Sequence, residues 1–207
     1  MSRASDLEAL ARAAARLART GAAPNARLPP LLVLTDPART PDPLALAERL
    51  PRGVGLVYRA FGAPDAKAVG GALAAVARRR GLVLLIGADA GLAMACGAHG
   101  VHLPQRSLAL APRLRARWPG AVITGAAHDA LALRRARMSG LDAALVSTVF
   151  ASTSPSAGAP MGPIRLAERV RLGAGLPIYA LGGVDSTTLR RLADTRASGV
   201  AVVSAAL

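Results

Sequence analysis

The stretch Leu176–Leu207, LPIYALGGVDSTTLRRLADTRASGVAVVSAAL, decides how the rest of the chain is read. It opens with an apolar run, Pro177–Leu181, and passes through Gly182-Gly183 into a helix signal. It closes with a second apolar run, Gly199–Val203, followed by Ser204. Glycines at the carboxyl end of a strand let the backbone approach a ligand closely, because no Cβ intervenes. Asp185 and Ser186 are both residue types that cap a following helix, whose free N–H groups favour negative charge. If the two runs are neighbouring parallel strands, Gly183 and Ser204 face one point, and that geometry suits a phosphate. In an eight-stranded α/β barrel the loops after strands 7 and 8 are the usual phosphate site. The reading therefore turns on whether these runs are the seventh and eighth strands.

Working outward, the same unit recurs from residue 31: an apolar run, a polar or glycine-rich turn, an amphipathic helix, then glycine. The runs are Leu31–Thr35, Val54–Tyr58, Leu82–Ile86, Gly100–Leu103, Ala121–Thr124, Ala143–Val146, Pro177–Leu181 and Gly199–Val203. Helices are expected at about 43–50, 65–80, 89–96, 107–118, 129–139, 162–172 and 186–194. Gly81, Gly97, Gly120, Gly140 and Gly199 stand where helices hand over to strands, the place of left-handed C-caps. Strands apolar on both faces and alternating with helices imply a parallel sheet covered on its outside. Eight such units close into a (β/α)8 TIM barrel. An open doubly wound sheet is the alternative, and no dinucleotide fingerprint supports it.

Residues 1–27 read as a helical arm and linker ahead of a barrel spanning 28–207. Over 5–20, Ser5 and Glu8 form a capping-box pattern, Leu7, Leu10, Ala14 and Leu17 share a face, and Arg12, Arg16 and Arg19 lie opposite. Pro24, Pro29 and Pro30 then prevent further helix. The pattern leaves no eighth outer helix after Ser204, so the apolar outside of strands 8 and 1 needs a cover. The N-terminal helix, or a second subunit in a homodimer, is expected to supply it.

Composition narrows the function classes. Apolar residues make up 52% of 207, enough for one domain with a sizeable core. The mean hydropathy of +0.36 comes from Ala and Leu rather than from any uncharged run of spanning length, so no membrane association is expected. One cysteine, Cys96, excludes an internal disulfide framework, and the acidic Asp6 and Glu8 argue against a signal peptide. A cytoplasmic location is the expectation. The net charge of +14 invites a nucleic-acid reading, but the arginines cluster late in predicted helices, where they complement the macrodipole. With two Phe, two Tyr and one Trp there is no stacking platform for bases, and no nucleic-acid partner is expected.

With the strand ends in place, the chain resembles the thiamine phosphate synthase and thiazole tautomerase family of (β/α)8 barrels. The matching stretches are LLVLTDP (31–37), GAHGVHLPQRSL (97–108), AAHDALALRRARMSGLDAALVSTVF (126–150), PIYALGGVDSTTLRRL (177–192) and GVAVVSAA (199–206). The resemblance implies a transferase of thiamine biosynthesis that joins hydroxymethylpyrimidine diphosphate to a thiazole phosphate and releases diphosphate. It also implies that Gly182, Gly183, Val203 and Ser204 hold the thiazole phosphate. For the diphosphate it implies Arg59, Ser152 and Ser154, and Mg2+ as cofactor. The family's Gln-x-Arg-x-Lys at strand 2 is here Val57-Tyr58-Arg59-Ala60-Phe61. Its Asn-Asp after strand 3 is Gly87-Ala88, its second acidic position is Ser107, and its loop lysine is Pro155. The usual magnesium carboxylates are thus unmatched, and Asp89 beside them reads as the N-cap of helix 89–96.

His128, just after strand 5, resembles the acid/base group of the metal-free tautomerase branch; where that branch has a serine two residues earlier, this chain has Ala126. Imidazole suits proton transfer at neutral pH. His102 on strand 4 is expected to point into the barrel or its top layer in a structural role, and His99 to the surface. No His, Cys, Asp or Glu set has metal-ligand spacing, and Cys96 reads as a buried small residue. Loop Ser147–Pro160, long and built of small residues, suits a mobile lid. Three functions stay open: the synthase, a metal-free isomerase using His128, and a phosphate-binding barrel without catalysis.

Overall fold

The computed structural model describes residues 3–23, 27–152, 154 and 158–203. Its strands are β1 (Leu31–Leu34), β2 (Gly55–Tyr58), β3 (Val83–Gly87), β4 (Gly100–Leu103), β5 (Val122–Ala126), β6 (Ala143–Val146), β7 (Ile178–Leu181) and β8 (Gly199–Val203). All pair in parallel and in sequence order, and β8 returns to β1 with Leu31 opposite Val200 and Leu34 opposite Val203. The barrel expected from eight apolar runs is closed, and the open sheet is excluded.

Side-chain alternation divides the core in two. Leu32, Leu34, Val57, Leu85, Leu145, Tyr179 and Ala201 fill the interior. Leu31, Val33, Leu56, Leu84, Ile123, Val146 and Val200 pack outward against helices. These helices are α2 (Pro43–Arg49), α3 (Ala66–Arg80), α4 (Ala90–Cys96), α5 (Ala111–Arg117), α6 (Ala130–Met138) and α7 (Gly162–Gly173). No helix among the described residues is long and apolar enough to cross a membrane.

The cover expected for strands 8 and 1 is α1 (Arg3–Arg19), which packs on both. Leu7, Leu10, Ala14 and Leu17 are at most 5% exposed and join the outer core with Leu31, Val33, Val200 and Val202. The helix begins before Ser5, which is therefore not its N-cap. Behind it, Ala22 N donates to Arg196 O at 2.8 Å and Ser198 Oγ to Ala23 O at 2.7 Å, fastening the arm to the loop before β8.

Three local expectations are corrected. The segment expected as helix 186–194 is a 3-10 helix, Thr188–Thr195. Thr188 Oγ1 donates to Gly183 O and Thr195 Oγ1 to Leu192 O, so both hydroxyls compete with an i→i+4 ladder. The segment 107–118 divides into a 3-10 turn, Gln105–Leu110, and α5. Gly81, Gly97 and Gly140 have the left-handed φ of C-caps, whereas Gly120 and Gly199 do not. Gly199 sits inside β8, where a Cβ would stand 2.5 Å from both Pro30 O and Tyr179 Cε1. Its role is close approach, and Arg196, at φ 60°, turns the chain instead.

Arginines near the amino ends of the strands are tied down by structure. Arg115 and Arg27 both pair with Asp142 just before β6, and Arg80 donates to Leu50 O at 2.9 Å. That face is opposite the strand carboxyl ends, where the candidate site lies.

Candidate functional site

The carboxyl ends of β7 and β8 border a cavity of about 220 Å3 lined by Leu181, Gly182, Gly183, Val184, Asp185, Val203, Ala151, Ser152 and Arg39, among others. That is less than the ~300–1,000 Å3 of sites for drug-sized ligands, so it fits one small group of a substrate. Gly182, Gly183 and Val203, expected as phosphate ligands, meet here. Ser204 lies outside the described residues. Gly183 is left-handed at φ 63°, and a Cβ on it would stand 2.3 Å from Ala151 O. The space freed by this glycine is filled first by the protein's own β6–α7 loop, which brings Ala151 and Ser152 to the cavity. Val149 N donates to Leu181 O at 3.0 Å and Phe150 N to Gly182 O at 2.9 Å, extending the β6–β7 pairing past the strand ends. Asp185 caps the next turn by accepting from Thr187 N and Thr188 N at 2.8 and 2.7 Å. Those bonds, the Thr188 amide foremost, hold its carboxyl below the usual range.

Ser152, assigned by resemblance to the diphosphate half, lines this same cavity. Ser154 follows it, its N–H donating to Ser152 Oγ at 3.2 Å. Arg59 follows β2, which is separated from β8 by β1. Its Nε donates to Thr35 O at 2.5 Å and its Nη2 pairs with Asp36 Oδ2 at 3.2 Å. The absence of a side chain at Gly87 makes room for it, since a Cβ there would stand 3.0 Å from Arg59 Cγ. Burial pulls the Arg59 pKa down while Asp36 opposes the shift.

His128 is exposed, and its Nδ1 shares a hydrogen bond of 3.0 Å with Ser147 Oγ at the end of β6. Gln105 fixes the local backbone: its Oε1 accepts from His128 N at 2.8 Å and its Nε2 donates to Asp129 Oδ2 at 2.9 Å. Asp129 Oδ1 caps α6 through Ala132 N at 2.8 Å, so it serves the helix rather than the imidazole. Sequence reasoning missed Ser147 as a partner, and also Asp36, Gln105 and Arg39. The signal for Asp36 was its place immediately past an apolar strand, where barrel side chains reach the mouth.

His102 is buried, as expected, and its Nδ1 shares a hydrogen bond of 2.9 Å with Thr124 Oγ1 on β5. Burial, aided by the positive charges of Arg59 and His128, pushes its pKa down to about 4. Since the folded value lies below the unfolded one of about 6.5, the contribution is complete above that pH and lost as pH falls toward 4. Between pH 7.5 and 5 the protein is expected to lose about 2 kcal/mol of unfolding free energy through this group. Urea titrations at both pH values check it; a His102→Gln variant showing the same pH slope would disprove the assignment. His99, on the surface, accepts from Leu84 N at 3.1 Å, and Cys96 is buried with its thiol toward Lys67 O.

Carboxylates suited to magnesium are not assembled. Asp36 is committed to Arg59 and to Ala38 N, and Asp89 Oδ1 caps α4 through Leu92 N at 2.8 Å. Among the described residues no group of three His, Cys, Asp or Glu side chains converges. The residues present do not fit a magnesium site. They offer a small pocket at the ends of β7 and β8, a histidine–serine pair, and an arginine held by aspartate.

The sequence profile described as thiamine monophosphate synthase matches residues 31–206. The thiamine biosynthesis bifunctional protein ThiM/ThiE of Symbiobacterium thermophilum is 33% identical over 93% of this chain, which spans 42% of that longer protein. The thiamine-phosphate synthase of Thioalkalivibrio sulfidiphilus is 33% identical over 81% of this chain and 82% of its own length. Among solved structures, thiamine phosphate pyrophosphorylase from Pyrococcus furiosus superposes with a TM-score of 0.73, covering 84% of this chain and 85% of that one. Its 22% identity supports the fold alone.

Proposed function

Because the chain belongs to the thiamine monophosphate synthase family, we propose that it joins hydroxymethylpyrimidine diphosphate to a thiazole phosphate and releases diphosphate. The observation that carries this reading is the cavity where Gly182, Gly183, Val203 and Ser152 meet. It receives the phosphate of the thiazole and so orients the ring toward the barrel axis. In the transfer, the pyrimidine's methylene carbon exchanges its bond to diphosphate for one to the thiazole, and negative charge grows on the departing group. Arg59 is the cation at the strand ends that meets that charge, and such preorganised electrostatics dominate transfers of this kind. Its pairing with Asp36 weakens the help it gives. The carboxylates nearest the strand ends are engaged, Asp36 with Arg59 and Asp89 with the start of α4.

The 3.0 Å bond between His128 and Ser147 favours a second reading, a metal-free isomerase of the thiazole phosphate. His128 would take a proton from one ring position and return it to another, with Ser147 fixing the imidazole's tautomer.

One assay separates these readings. The protein is incubated with both substrates, with and without Mg2+, beside a His128→Ala variant. Formation of thiamine phosphate supports the synthase. Tautomer conversion without coupling, falling about 100-fold or more in His128→Ala, supports the isomerase. Neither activity in a protein that phosphate esters still stabilise leaves a binding barrel and overturns both.

A further inference from the structure

We propose that Arg39 is the cationic arm of the β7–β8 pocket and binds the dianion of a phosphate monoester there. The inference rests on the pocket reading above and names the group that supplies its charge. Most of the lining is backbone, small apolar side chains and the Ser152 hydroxyl; the charged residues are Arg39 and Asp185. Asp185 Oδ1 is taken up by Thr187 N and Thr188 N, within its own turn. Amides and a hydroxyl offer a dianion only partial positive charges. A guanidinium adds a full charge and matches two phosphate oxygens at once.

The position of Arg39 is built. In the turn after β1, Arg39 N and Thr40 N donate to Asp36 O at 2.9 and 2.6 Å, and Ala38 N donates to Asp36 Oδ1 at 3.1 Å. Thr40 Oγ1 accepts from Asp36 N at 3.2 Å and closes the turn from the other side. Barrel closure does the rest: Leu34 pairs with Val203, so the β1 loop begins beside the last residue of β8. Asp36 thereby organises both cations of the mouth, holding Arg59 through Oδ2 and presenting Arg39 through its turn. Arg39 borders the pocket, and Arg59 does not.

The test measures dissociation constants by calorimetry for wild type, Arg39→Gln and Arg39→Lys. The probes are inorganic phosphate, the thiazole phosphate and the corresponding thiazole alcohol. Arg39→Gln is expected to weaken both phosphate-bearing probes by about 10- to 100-fold while leaving affinity for the alcohol unchanged. Arg39→Lys should recover part of the loss, because a point charge replaces a fork. Unchanged phosphate affinity in Arg39→Gln, or an equal loss for the alcohol, overturns the proposal. Arg39-dependent binding of inorganic phosphate with no gain for the thiazole phosphate keeps the arm and removes the thiazole reading. Wild type binding neither phosphate probe removes both.

Discussion

Gly183→Val is expected to destroy phosphate binding and to destabilise the fold together. A β-branched residue at φ 63° is strained by about 1–2 kcal/mol. The added Cβ would also stand 2.3 Å from Ala151 O and 2.8 Å from Phe150 C, both backbone atoms that cannot rotate away. Overpacking of this kind costs about 1–3 kcal/mol more. The strand-like bonds of Val149 and Phe150 to β7 would break, and Ser152 would leave the pocket with them. Losing two charge-assisted bonds to a phosphate weakens binding by at least about 100-fold. Gly140→Ala is the control: it is left-handed at φ 68° with open space where its Cβ would be, so strain acts there without the collision. Phosphate-ester binding intact in a folded Gly183→Val protein would place the anion elsewhere.

Removal of residues 1–22 has the largest expected effect on stability. Leu7, Leu10 and Leu17 are each at most 5% exposed against β1 and β8. At about 1.5–3 kcal/mol per buried leucine, their loss approaches 5–9 kcal/mol as an upper estimate. A domain has about 5–15 kcal/mol in total. The cut also exposes Leu31, Val33, Val200 and Val202, a contiguous apolar strip that invites association. The truncated chain is expected to aggregate or to show no cooperative thermal transition. A sharp melt within about 5 °C of the intact protein would show that α1 does not seal the barrel. Leu10→Asp makes the same point more gently, with a charge on the buried face in place of a deletion.

The legible parts of the site and the hidden parts differ in how far apart their partners lie. Gly182-Gly183 could be read because a strand, a glycine pair and a capping aspartate are neighbours in the chain. Asp89 was readable for the same reason: it caps the helix it begins. The type of the segment after Gly183 was misread because its periodicity suits either helix. What chose 3-10 geometry was where the hydroxyls of Thr188 and Thr195 found acceptors. Gly199 was misread as a cap because the sequence shows a helix-to-strand junction and not the Tyr179 ring beside it.

The sequence by itself determined the order and kind of the elements, since apolar period, glycine punctuation and capping act over a few residues. It also determined the family, through motifs carried on those strand ends. Only the tertiary structure decided which loops share a pocket. Closure of β8 onto β1 brings Arg39 beside Gly183, the short pairing beyond β6 carries Ser152 to the same place, and Ser147 meets His128 across adjacent strands. It also decided that Asp36 would hold Arg59, because Gly87 leaves the arginine side chain room to lie there. Such convergence depends on how a closed sheet registers end to end, and no local pattern of residues encodes that.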